Sequence, residues 1–240
     1  LAEVGPREVR LAARAFNDML ARIKLLVSRR AYTVAAISHD LRTPLTRQRL
    51  RLEFIDDAEL RDKMQTDIDE MEAMINSSLT YLRGDNPKEE RRSIDLTAML
   101  ATICGDLNDA GHQAQLQESP SIKVSGRPLA LKRAFSNLLN NAIKYGSEAH
   151  VCVEAWGEQI RVTIEDRGPG IPMDQRQRVF EPFYRIEDSR SRGTGGTGLG
   201  LTVAQTLIEA HGGTILLDDR PGGGLRIVVT VPGIASTSRR

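Results

Sequence analysis

Two long apolar stripes, followed by an abrupt loss of their rhythm, constrain this sequence more than any other feature. Val9, Ala13, Phe16, Leu20, Ile23 and Val27 recur at steps of three and four, and Ile37, Leu41, Leu45, Leu52 and Ile55 continue the pattern. At about 100° per residue such steps fall on one side of a helix. No glycine or proline separates residues 7–30 from residues 31–43, so one long helix is expected. Residues 56–59 interrupt the pattern with charge and mark a turn. A second stripe comes next, with Leu60, Met64, Ile68, Met71, Ile75, Leu79 and Leu82, and Gly84-Asp85-Asn86-Pro87 stops it. Two helices joined by a short turn form an antiparallel hairpin. A lone hairpin buries one side of each helix, whereas two hairpins packed as a four-helix bundle bury the whole seam. A homodimer is therefore expected.

Within the first helix, Ile37-Ser38-His39-Asp40-Leu41-Arg42-Thr43-Pro44-Leu45 combines a histidine, a neighbouring carboxylate and a hydroxyl one turn later. His39 lies two residues from both Ile37 and Leu41, so it points away from the stripe and should be exposed. Thr43, four residues on, shares its face. Pro44 lacks an N–H and its ring crowds the Asp40 carbonyl, so a bend is expected there. Taken alone, this is a surface histidine on a kinked helix. Residues 86–240 decide whether it is more.

After a charged linker at residues 86–92 the periodicity changes. Residues 93–96, 122–124, 151–156, 160–165, 214–217 and 225–231 read as strands. Residues 97–109, 127–145 and 199–211 read as helices, with Asp95 or Thr97 near the first N-cap and Pro128 in the first turn of the second. This order indicates an α+β sandwich over residues 93–234, and residues 235–240 form a tail. Lysine plus arginine total 33 against 32 acidic residues, a net charge of +1 that argues against a nucleic-acid binder. Cys104 and Cys152 lack metal-ligand spacing and are expected to be buried thiols in a reducing compartment. No apolar run is long enough to span a bilayer, and no secretory signal is present. The chain opens at Leu1 inside a helical pattern, so a preceding segment is expected.

Three motifs in the second part carry chemistry. Asn137, Asn141 and Lys144 share one face of their helix, with Arg133 one turn earlier and Leu138, Leu139, Ala142 and Ile143 opposite. Amides and an amine so arranged can bind phosphate oxygens, and an amide oxygen can ligate Mg²⁺. Asp166 follows a strand and precedes Gly168, Pro169 and Gly170. A carboxylate there can accept from the exocyclic amine of adenine and would repel the guanine carbonyl. Gly193, Gly195 and Gly198 form a G-x-G-x-x-G pattern, but no strand precedes it and no Gly-Lys-Ser/Thr comes after it, so it is neither a dinucleotide fingerprint nor a P-loop. It opens a helix instead, and glycine amides at a helix N-terminus suit a polyphosphate. The polar segment before it is a candidate lid.

These motifs in this order, with His39 upstream, resemble the sensor histidine kinases of two-component systems along nearly the whole chain. SHDLRTPL is similar to the family's H box, NLLNNAIKYG to its N box, DRGPGIP to its first glycine box, FEPFYR to its F box and GTGLGL to its second glycine box. The resemblance implies an α-helical hairpin forming a dimeric four-helix bundle, then a sandwich domain of the gyrase, chaperone and histidine-kinase type. Residues 1–29, with AFNDML, resemble the end of a HAMP signal relay, residues 30–85 the dimerisation and phosphotransfer domain, and residues 93–234 the ATP-binding domain. The short H box with aspartate after histidine resembles the osmosensor-like branch.

The resemblance also implies roles. His39 would attack the γ-phosphorus of ATP, Asp40 would orient the ring, and Thr43 would orient water for dephosphorylation of the partner. Asn141 would hold Mg²⁺, with Asn137 and Lys144 near the phosphates and Tyr145 bordering the nucleotide. Asp166 would read adenine between Gly168 and Gly170. Phe180 and Phe183 would anchor the lid. Gly196, Gly198 and Gly200, with Leu201, would face phosphate, and Arg185 is a further phosphate contact. The implied cofactors are ATP and Mg²⁺. The implied partners are a second copy and a response regulator, with membrane attachment through an upstream segment. Two other classes compete: a scaffold whose ATP site only switches conformation, and an ATPase of the gyrase-like and chaperone-like group, which lacks the hairpin histidine. The remaining histidines are not expected to compete: His211 should meet a helix C-terminal dipole, and His112 and His150 should lie in loops.

Overall fold

The computed structural model describes residues 6–83, 89–186 and 197–234. The chain divides into two units, residues 1–83 and residues 84–240.

The first unit is a helical hairpin. Helix α1 (Arg7–Leu52) continues through Pro44 as a single element, and α2 (Ala58–Arg83) returns against it. Asp57 starts α2: its carboxylate accepts from the Leu60 amide at 3.1 Å, a cap that fills one of the orphan donors of the first turn. Leu45, Leu52 and Ile68 form the buried seam, flanked by Ile55, Met64 and Ile75. Arg49 pairs with Asp69 and Glu72 across the hairpin. The stripe is only partly covered, however. Leu41 is 45% exposed and Met71 41% exposed, and Phe16, Ile23 and Leu60 are exposed too. A single hairpin thus satisfies the middle of the seam and leaves much of the rest of it open to water.

The second unit is a sandwich. Strands β1 (Arg92–Asp95) and β3 (Lys123–Gly126) pair antiparallel in a small sheet. A five-stranded sheet runs in the order β2 (Gln113–Leu116), β4 (Glu148–Trp156), β5 (Gln159–Glu165), β7 (Leu225–Pro232), β6 (Thr214–Asp219). In this sheet β2 and β4 run parallel and the other neighbours antiparallel. Helices α3 (Leu96–Asp109), α4 (Pro128–Gly146) and α5 (Gly200–Glu209) cover one face. Alternation decides which face is covered: Val151, Val153, Val162, Ile164, Ile227 and Val229 point inward and are buried with Phe135, Leu138, Leu139 and Ile208. Asp95 caps α3 by accepting from the Ala98 amide at 2.9 Å.

Three details differ from the sequence reading. Strand β2 has no counterpart in it. This strand is held by Asn108, whose amide side chain donates to the Ala114 carbonyl and accepts from the Ala114 amide. Residues 173–175 and 178–180 form short 3-10 turns. His150 lies on β4 rather than in a loop and faces Glu148 at 3.3 Å.

Candidate active site

Helix α4 organises the second unit's chemistry. Its inner face, including Ala134, Phe135, Leu138, Leu139 and Ala142, is buried, which leaves Asn137, Asn141 and Lys144 half-buried along one edge, as their spacing predicts. The loops expected to hold a nucleotide meet this edge at two levels. At the last turn, Gly146 lies so close to Asp166 that a Cβ on it would stand 2.5 Å from the Asp166 Cβ. A Cβ on Gly168 would stand 2.7 Å from the Tyr145 carbonyl oxygen. One turn earlier, a Cβ on Gly200 would sit 3.5 Å from the Asn141 amide. The Asp166 loop and the start of α5 are therefore about one helical turn apart along α4, roughly 6 Å.

Asp166 is 4% exposed. Its Oδ1 accepts from the Gly168 amide at 2.8 Å and the Leu225 amide at 3.2 Å, and its own amide donates to the Leu225 carbonyl. Both side-chain bonds fall on Oδ1, so the carboxylate is held in one orientation with Oδ2 turned to the other side. Burial pushes its pKa up, and the two amides and the Arg220 charge pull partly against that. Sequence reasoning missed two residues that shape this cradle. Gly146 is one. The other is Gly224, at φ +109°, where a Cβ would come within 2.0 Å of the Asp166 carbonyl oxygen. The glycine run before β7 marks a hairpin turn in the sequence, but its pressure on Asp166 is visible only in three dimensions.

The far wall is built from the F-box-like segment and the second glycine segment. Gly198 has φ +66°, and its carbonyl accepts from the Phe183 amide at 3.1 Å. A Cβ on Gly198 would lie 2.8 Å from the Phe183 carbonyl carbon, so only glycine permits this approach. Phe183 meets Gly198 through its backbone, with φ +65°, and its ring is 63% exposed. Phe180 is half-buried. Arg185 and Leu201 are half-buried, and Gly170 takes φ +72° beside the Gly224 carbonyl. Lys144 stands 5.4 Å from the centre of the exposed Tyr145 ring. Gly196 and residues 187–192 of the candidate lid lie outside the described residues.

On the hairpin, His39 lies within α1, and its side chain is outside those described. Asp40, Thr43 and Pro44 are exposed. Among the described residues no cluster of histidine, cysteine, aspartate and glutamate is placed to hold a metal ion. No described helix is long and apolar enough to cross a membrane.

Comparison with known proteins matches both units. Residues 29–87 match the family described as His Kinase A (phospho-acceptor) domain, and residues 126–234 match Histidine kinase-, DNA gyrase B-, and HSP90-like ATPase. The chain belongs to the sensor histidine kinases. It is 38% identical over 232 residues to Sensor histidine kinase GtrS of Pseudomonas aeruginosa, covering 97% of this chain and 48% of that protein. It is 31% identical over 245 residues to Sensor histidine kinase CpxA of Escherichia coli, covering 96% and 53%. The chain thus spans about half the length of these curated relatives. Among solved structures, full-length ShkA in complex with AMPPNP aligns with TM-score 0.65 at 22% identity, over 84% of this chain and 45% of that one. The ATP binding domain of PrrB from Mycobacterium tuberculosis aligns with TM-score 0.52 at 28% identity, over 61% and 99%. These likenesses support the hairpin and the sandwich, and the matched ATPase family supports ATP as ligand of the second unit.

Proposed function

We propose that this kinase chain phosphorylates its own His39 from Mg-ATP and passes the phosphoryl group to an aspartate of a response regulator. The convergence of Asp166, Asn141 and the Gly198–Gly200 turn along one edge of α4 carries the nucleotide reading. A buried, oriented carboxylate suits the adenine amine, and backbone amides at the start of α5 suit phosphate. Mg²⁺ usually keeps waters and substrate phosphates and takes few protein ligands. The amide oxygen of Asn141 beside Gly200 fits that role, with Asn137 and Lys144 toward the phosphates. In the transfer, the unprotonated Nε2 of His39 forms the new bond to the γ-phosphorus while the bond to the β-phosphate oxygen breaks and ADP leaves. Asp40 is assigned to accept from the Nδ1 proton and so hold the tautomer. Positioning and charge neutralisation supply most of such a reaction.

The open seam of the hairpin supports a homodimer. Leu41, Leu60, Met71 and Met74 are exposed at the helical spacing that a second copy would cover. Thr43, exposed one turn beyond His39, is assigned the dephosphorylation of the regulator. Residues 1–29 are assigned to a HAMP-like relay, joined upstream to a membrane-anchored sensor. Incubation with γ-labelled ATP and Mg²⁺ tests the proposal: the label should appear on the protein. Label released only as free phosphate would favour an ATPase, and bound ATP with no turnover would favour a scaffold.

A further inference from the structure

At the ends remote from the glycine loops, α4 and α5 meet at a buried histidine. His211 comes just after the last turn of α5 and is 3% exposed. Both ring nitrogens are engaged. Nδ1 lies 2.6 Å from the Leu207 carbonyl oxygen, which only accepts, so Nδ1 carries the proton. Nε2 lies 3.0 Å from the Arg127 backbone nitrogen, whose N–H donates, so Nε2 is bare. The ring is a neutral imidazole in one tautomer. Burial lowers its pKa; the Arg91 and Arg127 charges act in the same sense, and the Leu207 carbonyl and Glu89 act against it. The sequence predicts a helix-dipole contact for this residue; the bond to Leu207 fits that, but the bond to Arg127 reaches a different helix.

Arg127 is the N-cap of α4 and makes no capping bond with its own side chain. Gly126 makes room for the junction, since a Cβ there would stand 2.5 Å from Leu131 Cδ1 and 3.0 Å from the His211 ring. The segment entering the unit is tied to the same place. Glu89 accepts from the Leu129 amide at 2.6 Å through its carboxylate and from Arg127 Nε at 3.1 Å through its carbonyl. Arg91 donates to the Ala210 carbonyl at 2.9 Å. Between this junction and the nucleotide loops α4 lies against α5, and Ala134, Leu138, Val203 and Leu207 on the two helices are buried. Apolar packing is non-directional, whereas a hydrogen bond fixes distance and angle. Among the described residues, the His211 ring ties the start of one helix directly to the end of the other, alongside the longer route through Glu89 and Arg91.

We propose that His211 is a positioning residue for the nucleotide site: its ring bridges the start of α4 to the end of α5 and so sets the register at which Asn141 faces Gly200. This rests on the assignment of that site to ATP. Two substitutions separate the two bonds. In His211→Asn the amide reaches the place of Nδ1 and can keep the Leu207 bond while losing Arg127. In His211→Gln it reaches the place of Nε2 and can keep Arg127. ATP affinity of the whole chain is measured by calorimetry, well below each variant's separately determined unfolding midpoint. H211N should weaken ATP binding about three- to tenfold, the worth of one directional bond, while H211Q stays within about twofold of wild type. A purely structural role would lower both midpoints and leave the affinity of folded protein unchanged. Equal affinity of H211N and wild type, or equal loss in both variants, overturns the proposal. A wild-type chain that binds no ATP overturns the site assignment instead. A readout independent of any variant is the wild-type His211 ring resonance, which should shift on ATP addition; an unmoved resonance at saturating ATP also overturns the proposal.

Discussion

Replacing Asp166 by asparagine separates its role in recognition from its cost in stability. Oδ1 of Asp166 is held by the Gly168 and Leu225 amides, so the asparagine oxygen takes that place and the new NH₂ occupies the position of Oδ2. The fold is kept, but a donor now faces the donor amine of adenine. A hydrogen bond to a charged acceptor contributes about 1.5–3 kcal/mol, so ATP affinity should fall about ten- to hundredfold or somewhat more. Because an NH₂ group can donate to a guanine carbonyl, the preference for ATP over GTP should shrink as well. Stability should move the other way. Burial raises the Asp166 pKa above its unfolded value, so the wild-type carboxylate is destabilising when charged. Its stabilising protonated form is fully present below the unfolded pKa of about 4 and is lost as pH rises through the folded pKa. Unliganded D166N should therefore melt above wild type at neutral pH, and the gap should close on acidification. Calorimetric titration with ATP and GTP, together with thermal melts across that pH range, measures all of this. Unchanged ATP affinity, or a melting gap that widens as pH falls, refutes the reasoning.

Other perturbations probe the same geometry. Asn141→Ala should reduce autophosphorylation roughly a hundredfold or more at fixed Mg²⁺ while leaving the fold intact, as steady-state kinetics and circular dichroism would show. Gly224→Ala should destabilise the second unit far more than Gly222→Ala: both residues have positive φ, but only at Gly224 would a Cβ run into the Asp166 carbonyl, whereas Gly222 faces open space. Comparative thermal melts decide that, and G222A should cost only about 1–2 kcal/mol. Ile68→Ala, which empties the hairpin seam, should cost about 2–5 kcal/mol and shift the dimer equilibrium measured by sedimentation. Thr43→Ala should preserve autophosphorylation and slow dephosphorylation of the regulator; equal loss of both activities would count against the division of roles.

The hairpin was legible because its signal is local: three-four spacing names the helices, and Asp57 and Gly84 punctuate them. How much of the stripe one chain covers was not legible. Leu45 and Leu52 are buried while Leu41 on the same stripe is exposed, since burial depends on which residues of α2 lie opposite. In the second unit, periodicity gave α4 and the long strands. Strand β2 escaped because Gln-Ala-Gln-Leu is too short for a rhythm, and its pairing with β4 is set by a distant partner and by Asn108. Asp166 was found because a carboxylate between a strand and two glycines carries a chemical signature. Gly146 and Gly224 were not, and His211 was legible only as a helix-end contact, because the rest of their roles are close approaches between segments remote in the chain.

The central claim is that His39 receives the γ-phosphoryl group of ATP. Labelling with γ-labelled ATP, followed by acid and base treatment of the wild type and of His39→Gln, tests it most directly. The account predicts a base-stable, acid-labile label on the wild type and none on H39Q, with both proteins binding ATP equally. Label that survives acid, or that persists on H39Q, would contradict it.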